Sequence, residues 1–189
     1  VDGMFSFFNQ EQVQMTVELP DFFLPGPLIY SQTTDSIILS NTSFEIEAYR
    51  YSTLNALAGK DKKLLPDWVC NIGEQAFHIV FHQNKNTWKN DVVVVGDQTV
   101  FILNETSGKI WYQKWLDFGP SCIKIYHNEK GSEIYTADWR DTSSFLNGDA
   151  DSAGFSFILG SFSNYLMIYK DVQLVWTAKT PEPPIFVDI

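Results

Sequence analysis

The chain has 189 residues, 44% of them hydrophobic and 15% aromatic, which suffices for one well-buried domain and excludes a disordered segment. Its formal charge of −10, from 13 basic and 23 acidic residues, argues against a nucleic-acid surface, since that needs clustered Lys and Arg. No apolar stretch reaches membrane-spanning length, and an acidic excess of this size by itself serves solubility.

The first residue is Val1, inside a strand-like run and with no signal peptide, so the chain is expected to be a piece of a longer protein. Residues 4–8 and 13–17 read as two strands joined near Asn9-Gln10-Glu11, the outer pair of a blade whose inner pair is missing. Leu24-Pro25-Gly26-Pro27 forces a turn, because proline fixes φ and glycine permits the reversal. Strands are then expected at 28–30, 36–39, 46–51 and 67–70, with a polar, partly basic loop insertion at 56–63.

The next cycle is the clearest. Phe77, Ile79 and Phe81 alternate, and Val92-Val93-Val94-Val95 is the β-branched run of a strand covered on both faces. Gly96-Asp97 turns it into 100–103, and Thr106-Ser107-Gly108-Lys109 turns that into 110–113. A third cycle begins at 122–126, is interrupted by an insertion at 127–154, and resumes at 155–160, 165–169 and 174–177. Residues 185–187 read as the first strand of a further blade.

Equivalent apolar runs start at Gly26, Glu74, Pro120 and Pro183, giving steps of 48, 46 and 63 residues. A repeat of about 40 to 50 residues with four strands is the mark of a β-propeller blade. The expected fold is all-β: residues 1–189 as a fragment of one propeller, with about three complete four-stranded blades. A six- to eight-bladed parent ring is expected to close around them.

No catalytic, cofactor or metal site emerges. His78 and His82 lie four apart on a strand with no carboxylate or Cys at ligand spacing, so they read as ordinary strand histidines. Asn147-Gly148-Asp149-Ala150-Asp151-Ser152 has Ile158 where a calcium loop needs its twelfth-position Glu, and reads as a solvated acidic loop. Ser121-Cys122 lacks a His and acid partner. Cys70 and Cys122 read as two buried thiols, which suits a reducing compartment. Asn41-Thr42-Ser43 and Asn104-Glu105-Thr106 fit the glycosylation pattern, the only hint of secretion.

Trp68, Trp111, Trp115 and Trp176 recur on the last strands of successive blades, where packing between blades explains them. Tyr135 and Trp139, inside the insertion, are the candidate partner-interface residues; each either anchors a partner or tucks back onto the blade rim.

Several segments in order resemble one family. Phe22-Phe23-Leu24-Pro25-Gly26-Pro27-Leu28-Ile29-Tyr30-Ser31, Asp67-Trp68 with Asn71-Ile72-Gly73-Glu74-Gln75-Ala76, Pro120-Ser121-Cys122, and Asp171-Val172-Gln173-Leu174-Val175-Trp176 are similar to the middle of the N-terminal propeller of Bardet–Biedl syndrome protein nine, the parathyroid-hormone-responsive protein family. The resemblance implies a subunit of the BBSome, the octameric coat-like complex that carries membrane proteins into and out of cilia. It further implies a non-enzymatic scaffold without cofactors, whose partners are other BBSome subunits and whose membrane association is peripheral and indirect. The implied location is the cytoplasm, cilium, basal body and ciliary membrane. The insertion at 127–154 departs from the family pattern. The competing expectation is a propeller enzyme or small-ligand receptor using a central channel, which would draw polar side chains from several blades into one axial pocket.

Overall fold

The computed structural model describes residues 4–20, 26–60, 64–83, 90–126, 155–170 and 172–188. A hairpin of β1 (Met4–Asn9) and β2 (Gln12–Glu18) comes first, as a separate two-stranded sheet. Three four-stranded antiparallel meanders follow. The first holds β3 (Leu28–Ser31), β4 (Ser36–Ser40), β5 (Glu45–Arg50) and β6 (Trp68–Asn71). The second holds β7 (His78–Gln83), β8 (Asn90–Val95), β9 (Thr99–Asn104) and β10 (Ile110–Trp115). The third holds β11 (Pro120–Tyr126), β12 (Ser156–Ser161), β13 (Tyr165–Lys170) and β14 (Gln173–Lys179).

The sheets stack face to face, and the side-chain period of two divides their cores. Val92 and Val94 of β8 join Ile38, Ile46 and Ala48 of the first sheet, whereas Val93 and Val95 join Phe157, Leu159 and Tyr169 of the third. All four valines are fully buried, as a strand sandwiched between two neighbours requires. Met15, Val17 and Leu19 pack the first hairpin against Ile37, Leu39 and Tyr49. The leading strands β3, β7 and β11 contact one another in turn, so the sheets radiate from the side on which those strands lie. This is the expected propeller arrangement: three complete blades after an outer strand pair.

Residues 183–188 run beside β11 in the place of a further leading strand, without ladder pairing among the described residues. Ser121 Oγ donates to the Pro184 carbonyl, Cys122 Sγ does so at 3.3 Å, and Lys124 Nζ pairs with Asp188 at 2.6 Å. Gly160 permits this approach: a Cβ there would meet Cys122 Sγ at 2.6 Å and Pro184 Cγ at 2.8 Å.

One element departs from expectation. Helix α1 (Tyr51–Leu57) replaces the end of the third expected strand and takes the first two residues of the loop insertion at 56–63, of which 61–63 lie outside the described residues. The helix has no side-chain N-cap and no charged residue in its end turns. Its hold is tertiary: Leu54, 1% exposed, is sunk into the core of Tyr49, Leu39 and Met15. The insertion at 127–154 also lies outside the described residues.

Candidate interaction surface

The joint between the first two sheets is polar at one end and closely fitted. Trp68 on β6 sends its indole N–H to the Glu105 carbonyl at 2.9 Å, in the turn from β9 to β10. Gly108 of the same turn has φ +66°, and a Cβ there would overlap the Trp68 ring. The Glu105 carboxylate, 5% exposed, accepts hydrogen bonds from Ser31 Oγ and, at 2.6 Å, from Thr33 Oγ1. Asn90 Nδ2 donates to Thr33 Oγ1 at 3.2 Å. A buried carboxylate supplied with hydroxyl donors from another sheet fixes the two sheets in register, because sliding one along the other would take the donors away while the carboxylate stays buried.

The trailing strands are the opposite: open and aromatic. On β10, Trp111 and Trp115 are 49% and 63% exposed, and on β14 Leu174, Val175 and Trp176 are each about half exposed. Of the four tryptophans expected to pack between blades, Trp68 does so; the other three lie on the surface. The reason is local. Trp111 is an extra residue at a bulge of the β9–β10 ladder, Trp115 closes its strand, and no strand is paired outside β14 among the described residues. Trp111 is held by Asp91 Oδ1 at 3.2 Å. Burial pushes the Asp91 carboxyl above its ordinary range, the Trp111 N–H counters this, and nearby Glu105 adds to the rise.

The remaining sequence candidates disperse. Tyr135, Trp139 and the loop 147–152 lie outside the described residues. His78 Nε2 lies 3.1 Å from the Ser121 carbonyl, bridging β7 and β11, while His82 is buried edge-on against the Phe155 ring at 5.0 Å. Ser121 spends its hydroxyl on the Pro184 carbonyl. Among the described residues no three His, Cys, Asp or Glu side chains gather as a metal site, and no helix is long and apolar enough to cross a membrane.

Both cysteines are free, but only Cys122 is buried; Cys70 is half-buried, because its place on a trailing strand leaves it partly open to solvent. Burial raises both thiol pKa values, at Cys122 against hydrogen bonds from Ser121 and Gly160 that lower it. Of the two glycosylation asparagines, Asn41 has its amide nitrogen engaged inside the fold, and at Asn104 the side-chain oxygen is engaged. Asn41 is 2% exposed, and its Oδ1 accepts the Ser43 and Glu45 N–H groups while Nδ2 donates to Glu45 and Glu47. Asn104 Oδ1 accepts from Thr106 and Ser107. These are turn-forming asparagines.

The sequence pattern of the PTHB1 N-terminal family matches residues 1–189. The chain belongs to the PTHB1 N-terminal family. Protein PTHB1 of Xenopus laevis is 32% identical over 203 residues, covering 100% of this chain and 21% of that protein. The Homo sapiens protein of the same name is 32% identical over 202 residues, with 100% and 20% covered. A Caenorhabditis elegans pthb1 homolog is 23% identical over 185 residues, with 98% and 22% covered. The chain thus spans about a fifth of the length of the curated relatives it matches.

The family name read from the sequence is corrected here: the matching family and the curated relatives carry the name PTHB1, not that of Bardet–Biedl syndrome protein nine. Among solved structures, BBS1N in complex with ARL6DN superposes with a TM-score of 0.60 at 12% identity, over 95% of this chain and 47% of that one. BamB from Moraxella catarrhalis gives a TM-score of 0.54 at 14% identity, over 94% and 44%. At these identities the likeness concerns the fold alone, and both are β-propellers.

Proposed function

We propose that this chain is part of a non-catalytic interaction propeller that holds partner subunits of a BBSome-type coat moving membrane proteins to and from cilia. The observation that carries the reading is the end-to-end match to the PTHB1 N-terminal family. It is supported by the fold shared with BBS1N, a propeller solved in a complex with another protein, ARL6DN. The geometry suits the role. Sheets tied together by buried polar bonds form a rigid frame, and the exposed aromatics on β10 and β14 are of the type that anchors protein contacts.

In this reading the partners are other coat subunits in a hetero-oligomer, no small-molecule substrate is turned over, and membrane contact is peripheral and indirect. The protein works in the cytoplasm, the cilium, the basal body and at the ciliary membrane. The test is affinity capture of the full-length PTHB1-family protein from ciliated cells. Recovery of other BBSome subunits in fixed proportion is expected; recovery of none overturns the proposal.

A further inference from the structure

We draw no further inference here: the strongest candidate, the exposed tryptophans Trp111 and Trp115 of the surface strand β10, stands beside charges of both signs, Asp91 bonded to Trp111 and Lys114 on the same strand, and nothing in the structure shows what covers it.

Discussion

The indole N–H of Trp68 and the carbonyl of Glu105 meet at 2.9 Å across the joint between the first two sheets, with Gly108 lying under the indole ring. Gly108 therefore answers two demands at once, a left-handed backbone and the absence of a Cβ. Gly108→Ala is expected to destabilise the propeller by about 2–4 kcal/mol, combining backbone strain with overpacking. Trp68→Phe, which keeps most of the ring but loses the hydrogen bond, should cost about 1 kcal/mol. Urea unfolding of both variants measures the difference; equal, small losses would contradict the fit described here.

The Glu105 carboxylate is the acceptor at the centre of the same joint. Glu105→Ala leaves the fully buried Ser31 hydroxyl without this partner and should cost about 1–3 kcal/mol. Glu105→Gln keeps an acceptor oxygen and should fall well short of that. Thermal unfolding of the pair decides: if Gln is as damaging as Ala, charge and not hydrogen bonding holds the joint.

Asp91 carries a pH signature. Its folded pKa is raised above the ordinary 3.8, mainly by burial, so the folded state holds this proton more tightly than the unfolded chain. The stability it contributes is present at low pH and is lost as pH rises from 3.8 through the raised value. Asp91→Asn retains an acceptor for Trp111 and removes the charge. It should melt higher than wild type at neutral pH, with the gap closing below about pH 4. A constant gap across that range would exclude Asp91 as its source.

Asn41 should be unmodified in the native protein, because its amide nitrogen is committed to Glu45 and Glu47 inside the fold. Intact-mass and peptide mass spectrometry check this directly. A glycan at Asn41 would be incompatible with the observed β4–β5 turn.

The meanders were legible in the sequence because each strand advertised itself. The valine run at 92–95 had to be covered on both faces, and the turns at Gly96-Asp97 and Gly108 punctuated its neighbours. Helix α1 was not legible, since it has neither cap nor length and exists because Leu54 finds a pocket. Glu105 escaped notice for another reason. Its partner Ser31 lies 74 positions away, and nothing local marks a glutamate that will be buried. The tryptophans misled because an aromatic on a strand looks the same whether the next sheet covers it, as at Trp68, or a bulge turns it out, as at Trp111.

The most direct test of an interaction propeller is the native size of the full-length PTHB1-family protein in gently lysed ciliated cells, read by size-exclusion chromatography with quantitative mass spectrometry of the fractions. A scaffold of this kind elutes with its partner subunits in one high-mass hetero-oligomeric peak. Elution of the whole pool as a free monomer would contradict it.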